Sequence, residues 1–409
     1  MKQEISKAGM DEPHKQSKTI EIIIYLLFGF GPVTGNVILV LFGVLSKEFN
    51  VTPSTLLIAI PAFMVPFAII QLFSGAISDV KGRFPVITLG LIIFGFGWFI
   101  AAISFTLLMF VVGNFLAGVG FGFVNPVLIA LMTDITPPGP QIPKKMGYLG
   151  AVAAFGVGLG PFFAGQIVQI GWRYIYIIFI LIVITSIIVL FTVKKPPQKA
   201  HGDLGPRVLI SHIYQEIRRP TIILMIFSAF LISLTYLAII IWTSRAFTGA
   251  VNESVIGILL SLVGIAGTIS GLINGNMIKR IGIGFTLSVG LTSLLLTTFL
   301  LIYLGDITRS EITIYVALCL FLAGIAGGIL FPSILYYSQI LSPERRGALA
   351  GLLTAGYFIG NALVPAFYEP FFNAGGINAV YQIILIISIL LVLIIGLLYT
   401  LAKRQINLQ

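Results

Sequence analysis

The sequence predicts an all-α membrane protein: twelve transmembrane helices in two pseudo-symmetric six-helix bundles, with both termini on the cytoplasmic side. Three observations carry this. Of 409 residues, 58% are hydrophobic and only 9% charged, against roughly a quarter charged in a soluble domain, so water cannot solvate most of the surface. The apolar residues fall into twelve runs of crossing length, for which about 20 residues are needed. The second half of the chain also repeats the first.

The runs of the first half are Ile20–Leu45, Thr55–Ser78, Phe84–Phe105, Leu107–Thr133, Met146–Val168 and Tyr174–Val193. Those of the second half are Thr221–Trp242, Val255–Ile278, Ile283–Leu304, Ile312–Ile340, Ala348–Phe372 and Val380–Leu401. All must be helical, because a backbone group left unpaired in lipid costs several kcal/mol. The first run is too long for a signal-peptide core and has no clear cleavage site, so it reads as a span. The expected organisation is a cytoplasmic N-terminal tail, 1–18, a first bundle, 19–193, a cytoplasmic linker, 194–220, a second bundle, 221–402, and a C-terminal tail, 403–409. The linker carries Pro196, Pro197, Gly202, Gly205, Pro206, His201 and His212, and a short surface helix is expected near Ser211–Arg218.

Orientation follows from the bases. With the N-terminus inside, only Lys47, Arg173, Arg245 and Arg309 fall outside, and the other twenty of the 24 Lys and Arg fall inside, as the positive-inside rule requires. The formal charge of +10 is thereby explained by topology and by the anionic inner leaflet, not by nucleic acid. The single cysteine, Cys319, lies in an apolar run and excludes an internal disulfide or a cysteine metal cluster.

The repeat is read from glycine and proline positions. Gly75 and Gly82 recur 200 residues later as Gly275 and Gly282, and Gly147, Gly156 and Gly160 as Gly347, Gly356 and Gly360. Gly118, Gly122, Pro126 and Pro137 recur at an offset of 206 as Gly324, Gly328, Pro332 and Pro343. Such repeats build transporters with a site between the halves.

The loop Gly75-Ala-Ile-Ser-Asp79-Val-Lys81-Gly82-Arg83 joins spans two and three inside. Gly82 suits a tight turn. Asp79 ends its helix, where the dipole disfavours an anion, so a partner is expected from Lys81, Arg83 or the N-terminus of span eleven. This reads as an inside latch between the halves, with Asp134 at the end of span four joining the cluster.

The Gly75-x-x-x-Asp79-x-x-Gly82-Arg83 segment resembles the loop signature of the major facilitator superfamily. Gly147, Gly156, Gly160-Pro161 and Ala164-Gly165 in span five resemble the antiporter signature of its twelve-span drug/proton antiporter branch, with Ala164 where a glycine is usual. The resemblance covers nearly the whole chain and implies that Gly156, Gly160 and Pro161, with Gly356, Gly360 and Pro365 in span eleven, seal and hinge the halves. The branch usually carries an arginine where this chain has Asn114, four residues before Gly118. Asparagine carries no charge, which argues against proton coupling there. By the same resemblance Asn36, Asn114, Tyr236 and Tyr336 of spans one, four, seven and ten face the substrate, joined by Phe67, Gln71, Phe155, Tyr357 and Asn361.

Every acid, base and histidine falls in a tail, a loop or an end-turn of a span. Charges inside membranes mark proton relays and counter-ions, so their absence at mid-depth disfavours a solute of fixed charge. A neutral or amphipathic solute, or a delocalised cation against aromatic faces, remains. Any coupling carboxylate would be Asp79, Asp134 or Glu369. The expected function is a secondary transporter exporting small hydrophobic or amphipathic compounds by alternating access. A carrier of a neutral solute or a lipid flippase are the alternatives. No cofactor, metal or nucleic acid is expected, and the protein is expected to be a monomer in the plasma membrane. A membrane enzyme would need an acid pair, metal cluster or nucleophile with its base, for which the spans hold no residues.

Overall fold

The computed structural model describes residues 2–137, 141–193, 219–303, 312–341 and 346–407. The linker with its expected helix and two histidines lies outside them, apart from 219–220, as do Asp306, Arg309, Pro343, Glu344 and Arg345. Among the described residues the chain is helical throughout, with one isolated bridge between Thr248 and Val251.

The first span is two collinear pieces, α1 (Lys2–Asn36) and α2 (Ile38–Phe49), ending at Asn50 in the left-handed conformation (φ 51°). Helix α1 starts well before the expected Ile20, since Lys, Gln, Glu and Ala ahead of the span are good helix formers. A single turn, α3 (Pro53–Leu56), is capped by the Thr52 hydroxyl accepting from the Thr55 amide at 3.3 Å. Spans two to six are α4 (Ala59–Lys81), α5 (Arg83–Ala102), α6 (Leu107–Ile135), α7 (Gln141–Ile167) and α8 (Trp172–Thr192), and span seven is α9 (Pro220–Phe247). They are followed by α10 (Glu253–Ile302), α11 (Ile312–Leu341) and α12 (Arg346–Asn407).

Among the described residues, ten stretches are long and apolar enough to cross a membrane. Two of them lie in helices of 50 and 62 residues. At 1.5 Å per residue each would run about 75 Å or more, over twice the hydrocarbon thickness. Both break: α10 at Gly282 (φ 81°, ψ 158°) and α12 at Gly375 and Gly376 (φ 67° at Gly376). The breaks divide them into 253–281, 283–302, 346–374 and 377–407, which match the expected positions of spans eight, nine, eleven and twelve. The turn at Gly82 (φ 98°, ψ 146°) is the repeat partner of Gly282. Both occupy a region of backbone space essentially closed to other residues, so the repeat reaches the level of torsion angles.

Within the first half α5 and α4 pack on α6, and α1 packs on α7; within the second, α10 packs on α11 and α9 on α12. The halves meet through α7 with α10 and α4 with α12, that is, span five with eight and span two with eleven. A two-fold axis exchanges these pairs. The end carrying both termini, Gly82 and Gly282 is called the terminal face here, and the end carrying Asn50 and Gly376 the far face.

Candidate substrate site and gates

The two faces differ. At the terminal face a methyl group at Gly75 in α4, Gly147 in α7, Gly275 in α10 or Gly351 in α12 would meet no atom within 4 Å. They lie on the four helices that meet between the halves. At mid-depth and beyond it the halves touch.

Mid-depth is aromatic. Phe67 of α4, 2% exposed, meets Phe358 of α12 edge-on at 4.5 Å between centroids, joining the halves. Phe67 continues to Phe63 at 6.1 Å and Phe121 at 5.4 Å, and Phe358 to Tyr357 at 5.6 Å and on to Phe331 of α11 at 4.4 Å. The Tyr236 ring of α9 presses on α11 at Gly327. One turn from Phe67 toward the terminal face, the Gln71 side-chain nitrogen is buried without a protein partner. This belt offers ring faces and an amide donor, and no formal charge. Each described ion pair lies near the end of a span.

Phe67, Gln71, Tyr357 and, through α11, Tyr236 are thus brought together. Asn361 is buried beside them, its Oδ1 accepting from the Ser233 hydroxyl of α9 at 2.8 Å. Asn36 and Asn114 are buried but donate within their own helices, to the Pro32 carbonyl at 2.8 Å and the Phe110 carbonyl at 2.9 Å. Phe155 and Tyr336 are each 46% exposed. Phe155 shares an exposed stripe of α7 with Tyr148 and Phe162. Tyr336 has no ring partner among the described contacts. Spacing alone missed Phe358, Phe331 and Ser233. The internal offset of 200 from the Gly156 region leads to Phe358 only.

The Gly75–Arg83 loop forms an ionic cluster inside the first half. Buried Arg83 reaches Asp79 Oδ1 at 2.5 Å through Nη1 and Asp134 Oδ2 at 3.0 Å through Nε, and its Nη1 donates to the Ser78 hydroxyl at 2.5 Å. It ties the ends of α4, α5 and α6. Asp134 joins as expected; Lys81 stays exposed. A second pair, Lys145 with Glu21 at 2.8 Å, ties α7 to α1, with Tyr25 donating to Glu21 at 3.2 Å.

The glycines of α7 serve two neighbours. Gly156 and Gly160 lie against α1, where an added methyl would sit 2.5 Å from the Gly29 carbonyl oxygen and 2.2 Å from that of Val33. Gly158 and Gly165 face the other half: a methyl at Gly158 would lie 2.8 Å from the Gly264 Cα, and one at Gly165 would lie 3.2 Å from the Gly257 Cα. Small residues let helices approach at backbone distance in membranes, and this seven-residue spacing, repeated in antiparallel α7 and α10, is a seam between the halves. In α12, Gly356 and Gly360 lie against α9 at Ile226 and Phe230, repeating the α7–α1 contact. Pro161 and Pro365 lie inside their helices. The Pro161 carbonyl oxygen would sit 2.5 Å from a methyl at Gly257.

At the far face polar groups bridge the halves. The Ser244 hydroxyl of α9 donates to the Leu39 carbonyl of α2, Arg245 Nη2 donates to the Ser54 hydroxyl of α3, and the Ser254 hydroxyl bonds Gln166 at 2.9 Å. The arrangement is an aromatic belt that joins the halves at mid-depth, with polar bridges between them at the far face.

Comparison with known proteins agrees with this architecture. The sequence model of the Major Facilitator Superfamily matches residues 23–365 and, in a second overlapping match, 250–408. The quinolone resistance protein NorA of Staphylococcus aureus (strain COL) is 24% identical over 393 residues, 92% of this chain and 97% of that one. An uncharacterised transporter of the same type, YceJ of Bacillus subtilis (strain 168), is 24% identical over 358 residues, 85% and 88% of the two chains. Among solved structures, a mutant of the nucleoside transporter NupG superposes with a TM-score of 0.76 over 94% of this chain and all of that one, at 13% identity. An inward-facing, unoccupied bacterial homologue of the human lysosomal transporter Spinster gives 0.70 over 95% and 97%, at 16% identity.

Proposed function

The chain belongs to the Major Facilitator Superfamily and is a membrane transporter, and on that premise we propose that it exports small hydrophobic or amphipathic compounds from the cell by alternating access. The observation that carries this reading is the belt at mid-depth: Phe67, Phe358, Tyr357 and Phe331, with the unpartnered side-chain nitrogen of Gln71 one turn from Phe67 and every described ion pair at a span end. Ring faces bind apolar and delocalised solutes. A fixed charge held there without a counter-ion would cost about 2.5–3.5 kcal/mol even on the mildest scale. The name of the quinolone resistance relative supports an efflux role.

The basic terminal face lies in the cytoplasm on this reading, because the sequence order of the spans assigns twenty of the 24 Lys and Arg to that side, and the structure is read as the state open to the cytoplasm. The membrane is the plasma membrane. Asp79, Arg83 and Asp134 form a latch that engages the second half when that face closes. The halves rock about the mid-depth end of the α7–α10 seam, where Ala154 faces Gly267. Asn114 donates to its own helix, so proton coupling does not pass through that position.

The test is transport by purified protein in proteoliposomes, using aromatic solutes matched in size but neutral, cationic or anionic. Neutral and delocalised cationic solutes move and the anion does not. Preferential movement of the anion, or of small polar sugars alone, would overturn the proposal.

A further inference from the structure

The far face holds an arginine whose bonding does not fit its surroundings. Arg245, near the end of α9, has a side chain 9% exposed and lies over the rings of Trp242 (5.5 Å) and Phe372 (4.6 Å). A carboxylate of its own half, Glu369 of α12, stands 3.9 Å away at the nearest oxygen. A guanidinium beside a carboxylate ordinarily pairs closely and in bidentate fashion. Here the one short bond of Arg245 goes to the Ser54 hydroxyl in the other half. Its Nε and Nη1, and Oε2 of Glu369, are buried with no partner. The other described ion pairs, Arg83 with Asp79 and Asp134, Lys145 with Glu21, and Arg173 with Glu48, all close at 3.0 Å or less within the first half. Among the described ion pairs, only that of Arg245 is left incomplete while the arginine reaches across the interface.

We propose that Arg245 is the positioning residue of the far gate: it is held by Ser54 when the far face is closed and by a close pair with Glu369 when the halves part. Each state leaves it one partner, so its charge stays satisfied through the opening. Trp242 and Phe372, packed on each other at 5.0 Å, keep the planar group in place between the two. Opening loses a hydrogen bond to a neutral hydroxyl and gains a charge-assisted pair, so the gate carries a built-in counterweight. This rests on the alternating-access reading, but its test needs no transported solute.

The reporter is Ser46→Cys in a Cys319→Ala background. The Ser46 hydroxyl is buried and unpartnered, and it lies on the face of α2 that carries Leu39 and Gly43, toward the second half. A membrane-impermeant maleimide added from the far side labels it only when the gate opens. Ser54→Ala raises the labelling rate by about threefold, the scale of one hydrogen bond, and Glu369→Gln lowers it by a similar factor. In an Arg245→Gln background both effects vanish. Arg245→Lys, which keeps the charge but loses the fork, shrinks both and serves if the glutamine variant fails to insert. Shifts in the same direction, no shifts, or shifts that persist without the guanidinium would overturn the proposal. A failure of the export reading would instead show as absent flux with these opposite shifts intact.

Discussion

The two seams that join the halves occupy equivalent places in the repeat yet are built from opposite materials. Between α7 and α10 the helices touch through Gly158, Gly165, Gly257 and Gly264, at backbone distance. Between α4 and α12 they are held apart by the rings of Phe67 and Phe358. A glycine seam admits rolling but no added atom, because what lies opposite is main chain. An aromatic seam is deformable, since rings re-pack by rotation and a solute ring can replace a protein ring. The pseudo-symmetric scaffold has thus been divided in labour: one seam is suited to a pivot and the other to a binding surface.

The largest effect is expected from filling the glycine seam. Gly158→Leu places carbon where the Ser261 carbonyl oxygen and the Gly264 Cα already stand at 2.6 Å and 2.8 Å from even a methyl. Overpacking of this kind costs about 1–3 kcal/mol, and transport should fall by about five- to a hundredfold while membrane insertion continues. Gly150→Ala, with open space around it, is the control and should transport normally. Proteoliposome flux at matched protein levels checks both.

Thinning the aromatic seam should do less and do it selectively. Phe358→Ala removes a ring pair worth about 0.5–1.5 kcal/mol, so apparent affinity for aromatic solutes should weaken by about two- to tenfold, with flat aliphatic solutes less affected. Equal losses for every solute would show the ring to be packing and not a contact. Gln71→Leu should discriminate further, lowering affinity only for solutes that carry a hydrogen-bond acceptor.

Smaller still is the change expected from the terminal latch. Asp79→Asn leaves Arg83 its bonds to Asp134 and Ser78 but removes the charge assigned to the latch. Labelling of a cysteine at Gly150 from the terminal side should rise by about twofold, the scale of an exposed ion pair. Unchanged labelling would remove Asp79 from the gate. The smallest effect belongs to protons: with no carboxylate in the belt, an imposed pH gradient should alter the transport rate little, and a strict requirement for one would place coupling at a span end.

Much of this was legible in the sequence because membranes restrict the possibilities. The spans follow from apolar length, the bundle repeat from glycine and proline offsets, and the turns at Gly82 and Gly282 from a residue type that alone adopts such torsions. The ionic cluster around Arg83 was readable from one nine-residue loop. The site was less so. Which side of a helix faces the belt depends on rotation about its axis, and in a span apolar all round no polar stripe records that rotation. Phe155 of α7 and Tyr336 of α11 are aromatic, like Phe67 and Tyr357, but each is 46% exposed. Gly156 and Gly160 were legible as a packing face; that they meet α1 while Gly158 and Gly165 meet α10 was not, because both sets are glycine. Arg245 looked like an ordinary loop base until its bond to Ser54 was seen.

The central claim is that the mid-depth end of the glycine seam stays in contact while the halves rock. Ala154 and Gly267 test it, since a Cβ on Gly267 would lie 3.7 Å from that of Ala154, the separation that a disulfide spans. A disulfide between Ala154→Cys and Gly267→Cys in a Cys319→Ala background should leave most of the transport rate intact before and after reduction. Transport that stops on oxidation and returns with reductant would show that the seam must part, and would contradict the account.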